Sequence, residues 1–377
     1  MSSIKKALVV GGGIGGLSTS IALRKAGIEV DLAELQPKFN VYGVGIIQPS
    51  NALRALDALG LADQCMEHGS PYGPVKMCSS SGFQFGQAGT PPMGRLPVHN
   101  GISRRILHEV LHEGVVASGV HPRMGLTVKD LENSPDSVTV TFSDGSTGQY
   151  DLVVGSDGVY SSVRSLVVGE HKPTYTGQSV WRYAFSRPAD LDTGYIYFGK
   201  KTKVGLIPMT ADSMYMFVVS AEGDDPKIPE SELVPRMKAL LKEYEAPMVR
   251  AVIDQITDPK GVIYRPLETL LLPAPWYKNR VLLIGDAVHA TIPQLGQGAG
   301  LAIEDAVVLG ELLGTDNPLP TVLENFMTRR YDRCKMVVDA SNTLGEWEQL
   351  DWQGKLPEGA SMGALMGKTL GAMGAPI

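Results

Sequence analysis

Residues Ala7 to Val10 form an uninterrupted apolar run that stops at Gly11-Gly12-Gly13-Ile14-Gly15-Gly16, after which Leu17, Ile21, Ala22 and Leu23 recur at helical spacing. This pattern predicts a strand, a glycine turn and a helix. Gly27 ends the helix, and the segment from Ile28 to Glu34 alternates as a second strand, completing a β-α-β unit that should start a parallel sheet. Leu53, Leu56, Leu59 and Leu61 predict a helix over 51–61, and another is expected over 104–116. Residues 69–98 are rich in Gly, Pro and Ser without a helical period, so they read as loops and short strands inserted between helices.

Further along, the runs 137–142 and 149–154 flank Asp144-Gly145, a hairpin signal whose second arm should rejoin the first sheet and lead into Gly155-Ser156-Asp157-Gly158. Short aromatic-rich runs between Val180 and Ser220 predict an antiparallel sheet. A helix is expected over 231–244, a buried strand over 280–284 ending in Gly285-Asp286-Ala287, and helices over 298–313 and 320–344. From Gly345 the chain carries many Gly and Met residues with weak periodicity, and this tail is expected to pack loosely.

Composition narrows the classes. The 377 residues are enough for about two domains, and 43% hydrophobic with 20% charged residues is ordinary globular usage rather than disorder. Thirty-four Lys and Arg against 40 Asp and Glu leave a net charge of −6, which argues against a nucleic-acid partner. Cys65, Cys78 and Cys334 have no CxxC spacing, so neither a disulfide framework nor a zinc ribbon follows, and a cytoplasmic location is expected. No run approaches the roughly 18 apolar residues of a transmembrane span, so none is predicted.

Gly11, Gly13 and Gly16 fit GxGxxG directly after a strand and at the start of a helix, the setting in which this spacing cradles a dinucleotide pyrophosphate. The first glycine permits the turn, the second lets the backbone approach the ligand, and the third lets the helix pack close. Ile14, Gly15 and Gly16 open the helix, whose free amides favour an anion. Glu34, 23 residues after Gly11, ends the second strand where a carboxylate can accept from ribose hydroxyls. NAD and FAD both use such a turn.

Two further motifs extend the reading. Val154-Gly155-Ser156-Asp157-Gly158 with Ser161, Ser162 and Arg164, then Gly285-Asp286-Ala287-Val288-His289 with Pro293, Gly296, Gln297 and Gly298, resemble, together with the first motif, the class A flavoprotein monooxygenases, a family that includes para-hydroxybenzoate hydroxylase and salicylate hydroxylase. The resemblance spans roughly residues 4–345. It implies non-covalent FAD, with Glu34 on the adenosine ribose, Arg104 of Arg104-x-x-Leu107 near the pyrophosphate or ribityl chain, Asp286 on the ribityl hydroxyls, and Asp157 and Gly158 near FAD or the nicotinamide cofactor. Gly45 and Gln48 resemble the family's segment beside the isoalloxazine, and Pro293 would sit over the ring, with Gly285, Gly296, Gln297, Gly298 and Ala299 completing the cofactor set. Amides of Gly298 and Ala299 could stabilise negative charge on reduced flavin.

The fold implied is α/β, with a discontinuous Rossmann-like FAD-binding domain (1–72, 99–172 and 270–345), a smaller substrate domain on a mainly antiparallel sheet (73–98 and 173–269) and a C-terminal tail (346–377). The resemblance implies NADH or NADPH as a transient reductant, and O2 as co-substrate, with hydroxylation of a small, phenol-like aromatic or heteroaromatic ring through a C4a-hydroperoxyflavin. Pro293, Gln48 and Tyr215 are the catalytic candidates. Arg182, Tyr183, Lys203, Met209 and Tyr215, with Pro293, are the substrate-binding candidates: a cation could hold an acidic group and a tyrosine could bond a ring hydroxyl. Monomer and homodimer stay open.

Other signals read differently. His108-Glu109-Val110-Leu111-His112 matches HExxH, but the helix is needed for packing and no third ligand follows, so no metal is expected. His289 reads as a structural histidine near the flavin. Arg329, Arg330, Arg333 and Lys335 read as a solvated face or as ion pairs with neighbouring acids, and Met362, Met366 and Met373 as gap-filling hydrophobes. A halogenase would carry WxWxIP, which is absent. A NAD-dependent dehydrogenase would leave the second and third motifs without purpose, and a flavoprotein without oxygen insertion is the remaining alternative.

Overall fold

The computed structural model describes residues 4–39, 43–223 and 227–377. Strand Lys6–Val10 is apolar on both faces and therefore lies inside a sheet covered on both sides. That sheet has six strands in the order Tyr277–Lys278, Val281–Leu283, Leu152–Gly155, Lys6–Val10, Glu29–Glu34 and Arg123–Met124. All neighbours are parallel except the first pair. Helix Ile14–Lys25 packs on helix Gly298–Leu313 with little between the backbones: a Cβ on Gly310 would lie 3.0 Å from the Ala22 carbonyl oxygen.

The expected elements appear with shifted ends. The helix over 51–61 is Ser50–Leu59 followed by the short Ala62–Glu67, that over 104–116 is Arg104–Ala117, and that over 231–244 stops at Leu240. The run 149–154 is divided between two sheets. Thr147–Tyr150 pairs with Val138–Phe142, and Leu152–Gly155 with Lys6–Val10. At the switch the Asp151 carboxylate accepts from the amides of Lys5 and Lys6, at 2.8 and 2.9 Å, and so clamps the crossing.

A second sheet of seven strands runs Ile263–Thr269, Thr174–Ser186, Ser213–Ala221, Thr202–Pro208, Tyr195–Phe198, Val75–Ser79 and Gln84–Ala88. Only Tyr195–Phe198 and Val75–Ser79 pair in parallel. Its outer face carries Trp181, Leu206, Met216 and Val218, which bury themselves against residues of helices Glu230–Leu240 and Pro247–Ile253. Its inner face looks toward the first sheet.

The expectation of a loose tail is corrected. Helix Leu319–Trp352 runs straight through Gly345, and helix Met362–Ala372 follows with Met366, Leu370 and Met373 buried in the main core. Gly363, Gly367 and Gly371 recur every four residues along one open face of the last helix, which dilutes the apolar signal without preventing Met366 and Leu370 from packing.

The basic run divides between the two readings: Lys335 lies on the exposed side beside Asp339, while Arg330 and Arg333 turn inward to pair with buried acids. Arg330 is wholly buried and donates to Asp305 (2.7 Å) and Glu304 (2.8 Å), while Arg333 donates to both oxygens of Glu304 at 2.8 Å. Asn51 donates to Glu304 and to Gln297. The second oxygen of Asp305 accepts from the Gly285 amide at 3.0 Å and meets His289 Nε2 at 2.7 Å. Burial opposes every one of these charges, yet Arg330 and Arg333 bring Glu304 below its ordinary range, and His289 and Arg330 do the same for Asp305. Burial also opposes the His289 charge, but Cys334 and Asp305 raise its pKa well above the usual value. The cluster joins three helices to the Gly285 turn.

Among the described residues no helix is long and apolar enough to cross a membrane, and the three cysteines are free and buried. Arg330→Met keeps volume but takes a buried cation from both Glu304 and Asp305, so its unfolding free energy in urea should fall by about 3–5 kcal/mol; a loss under about 1 kcal/mol would mean that the cluster does not hold the helices together.

Candidate active site

A cleft of about 730 Å3 lies between the carboxyl edge of the six-stranded sheet and the inner face of the seven-stranded one. The glycine turn forms one side. Gly11 has φ of +105°, and a Cβ there would stand 2.4 Å from the Ser156 carbonyl oxygen; one on Gly16 would stand 1.8 Å from that of Gly11. These two shape the turn. Gly13, by contrast, faces open space and lines the cleft with Ile14 and Gly15. Glu34 flanks the turn, accepting from the Gly12 amide at 2.7 Å and the Gln36 amide at 2.8 Å. His108 is buried with Nε2 2.8 Å from the Gly12 carbonyl oxygen, and burial lowers its pKa, so this half of the HExxH pattern braces the same turn.

Ser156 and Gly158 of the second motif reach the cleft, whereas Asp157 between them does not border it. Its carboxylate is committed to the start of helix Ser162–Val168, accepting from the amides of Ser162 (2.8 Å) and Val163 (3.0 Å) and from the Ser161 hydroxyl. Arg164, buried, donates to the Ala287 carbonyl at 2.9 Å and so ties the second motif to the third.

Gly285, Asp286, Pro293, Gly296, Gln297, Gly298 and Ala299 all border the cleft. The Asp286 carboxyl opens into it, and the protein packed around raises its pKa against the pull of His289 and Arg104. His289 itself points away, into the charge cluster. The first amides of the 16-residue helix Gly298–Leu313 face the cleft from Gly298 onward. Arg104 and Gly45 line it too, whereas Gln48, buried in strand Gly45–Pro49, accepts from Asn100 at 2.7 Å and is not among the residues that border the cleft.

Strand parity sorts the substrate candidates. Register pairs Lys203 with Val219, Gly205 with Phe217, and Ile207 with Tyr215, then Phe217 with Arg182 and Val219 with Val180, so these positions share the inner face. Tyr183 follows Arg182 and points outward, its ring packing beside Phe185 away from the cleft. Met209 follows strand Thr202–Pro208 and is buried with Tyr72, Ile207 and Tyr215 rather than bordering the cleft. Lys203 borders the cleft but is ion-paired with Glu348 of helix Leu319–Trp352, whose other oxygen accepts from Gln178 and Gln294. Arg182 has no ion pair among the described residues, and burial lowers its pKa to about 10, so it stays charged at neutral pH. Burial, partly offset by Arg182 and Arg104, raises Tyr215 to about 12 and keeps it a phenol; its ring lies over Gly45.

Glu304, Asp305, Glu348 and Gln294 were not singled out by sequence reasoning. An adjacent acid pair in the otherwise apolar interior of helix Gly298–Leu313 was a usable signal, because buried carboxylates need cations and the next helix carries a basic run.

The family described as FAD binding domain matches residues 5–341, and the chain belongs to it. YetM of Bacillus subtilis (strain 168) is 34% identical over 347 residues, 90% of this chain and 93% of that protein. The FAD-dependent urate hydroxylase of Klebsiella pneumoniae subsp. pneumoniae is 30% identical over 350 residues, 88% of each. The crystal structure of Klebsiella pneumoniae HpxO with FAD and uric acid superposes with a TM-score of 0.83 at 26% identity, covering 98% of this chain and 97% of that one. The chain is thus a flavoprotein of the class A hydroxylase type, with FAD as its cofactor. The site suits that group: Gly13 leaves space where a side chain would stand, helix amides face an anion's place, and Asp286 offers acceptors inside the cleft.

Gly13→Val should unfold at nearly the wild-type urea concentration, since nothing lies near its Cβ, but should purify without flavin absorbance. Asp286→Asn should stabilise the FAD-free protein at neutral pH. A raised carboxyl pKa means that ionisation costs stability as pH rises through it; the gain should therefore shrink as pH falls toward the ordinary carboxyl range, and urea midpoints across pH measure it.

Proposed function

We propose that the protein uses NADH or NADPH and O2 to hydroxylate a small phenol-like or heteroaromatic ring that carries an acidic group. The observation that carries this reading is the inner sheet face, where Arg182 and Tyr215 stand as one cation and one phenol opposite Pro293 and the start of helix Gly298–Leu313. Lys203 also borders this space, yet Glu348 neutralises it. Arg182 is thus the cation of this face that is buried beside Tyr215 and without an ion pair among the described residues.

Bound FAD supplies hydride acceptance and activation of O2 for transfer to the ring. Glu34, Gly13, Arg104 and Asp286 are the residues proposed to hold it. Arg182 orients the substrate through a charge-assisted hydrogen bond, and Tyr215 bonds a ring hydroxyl as donor or acceptor. Pro293 limits the ring's approach from the third motif. Val180, Phe217 and Val219 make the wall apolar and keep water from the reacting centre. The amides of Gly298 and Ala299 favour negative charge opposite that wall. FAD-dependent urate hydroxylase, a relative, acts on a heteroaromatic ring, which supports the ring class.

The purified protein should absorb near 370 and 450 nm, about where flavin does. A panel of hydroxybenzoates, hydroxypyridines and purine-like acids should contain a member that stimulates NADH or NADPH oxidation and yields a hydroxylated product rather than hydrogen peroxide alone. Arg182→Leu should raise KM for an anionic member by about 10- to 100-fold, the loss of a hydrogen bond to a charged group. Flavin that is reduced without any product would return the reading to an oxidoreductase without oxygen insertion.

A further inference from the structure

The cleft does not end at Arg182 and Tyr215. Along the same inner face the register runs from Phe217 through Gly205 to Ile196, and on the far strands Val75 stands opposite Ala88. All four side chains border the cleft, and the opposite wall is supplied by Met366 and Leu370 of helix Met362–Ala372. This part of the wall is hydrocarbon. The polar group beside it, His99, has Nδ1 3.0 Å from the Gly73 carbonyl oxygen, and burial pushes its pKa down to about 4, so it is uncharged at neutral pH.

Two poles of different chemistry thus share one cavity, a cation with a phenol at one end and six apolar side chains at the other. Water held against such a wall is released when an aliphatic group replaces it, and apart from the uncharged His99, whose Nδ1 is taken by the Gly73 carbonyl, the six side chains offer a polar occupant nothing. The geometry points to an aliphatic subsite: the ring of the substrate bears an uncharged alkyl tail that lies between the last helix and strands Val75–Ser79, Gln84–Ala88 and Tyr195–Phe198. This assignment rests on the hydroxylase reading and adds the class of substituent to it.

The test titrates the FAD-bound protein with para-alkylphenols from methyl to heptyl, following the flavin difference spectrum. Affinity should rise about fourfold per added methylene until the subsite fills, the ~0.8 kcal/mol of a buried CH2. A parallel series ending in a carboxylate should lose that rise. In Ala88→Phe and in Leu370→Trp, which fill the subsite from opposite walls, the heptyl-to-methyl affinity ratio should collapse toward one. Flavin-bound protein that takes the methyl compound but shows no chain-length dependence, or the same dependence for the carboxylate series, overturns the subsite while the hydroxylase reading stands. Protein that never binds flavin overturns that reading and the subsite with it.

Discussion

Everything around the cleft hangs on a cluster of charges placed where water cannot reach. Glu304 and Asp305 sit side by side in the helix that opens at Gly298, and each needs a cation to tolerate burial. Arg330 serves both, Arg333 adds a fork to Glu304, and the spare oxygens take Asn51, His289 and the Gly285 amide. Each partner belongs to a different part of the chain. Satisfying the pair therefore dictates where helices Ser50–Leu59 and Leu319–Trp352 and the turn before Asp286 come to rest, and with them the direction in which the helix amides point.

On the other side of the cleft the governing rule is the two-residue period of a strand. It sends Arg182 inward and Tyr183 outward, and it lines up Lys203, Phe217 and Val219 without any contact between them in sequence. The inner face carries Arg182, Lys203 and Arg265, and Glu348 reaches in from the long C-terminal helix to pair with Lys203. Gln178 and Gln294 bond the same carboxylate, so the acid is held from several sides. The charge of the substrate end is thus adjusted by a residue that does not border it.

The cofactor half of the site was legible because its signals are local. Gly11 to Gly16 stand beside each other between a strand and a helix, and the Gly285-Asp286 and Pro293 to Ala299 segments follow a buried strand, so a short window of sequence contains both the backbone geometry and the chemistry. The substrate half was legible only in outline. Which of Arg182 and Tyr183 faces inward depends on register with strands far along the chain, and so does the hydrogen bond that Gln48 accepts from Asn100. Asp157 holds the start of its own helix. The tail misled for a different reason: glycines spaced every four residues hide a helix whose apolar side is fully used.

The last of these has a consequence for how such a protein diversifies. Glu348 adjusts the charge at one end of the substrate space, while Met366 and Leu370 wall the other, and all three lie in the final thirty residues of the chain. The glycine turn, by contrast, lies at the beginning. Both poles of the substrate space therefore lean on one C-terminal segment, and changes confined to that segment can retarget the enzyme to new compounds while Gly11 to Gly16 and Asp286 are left untouched.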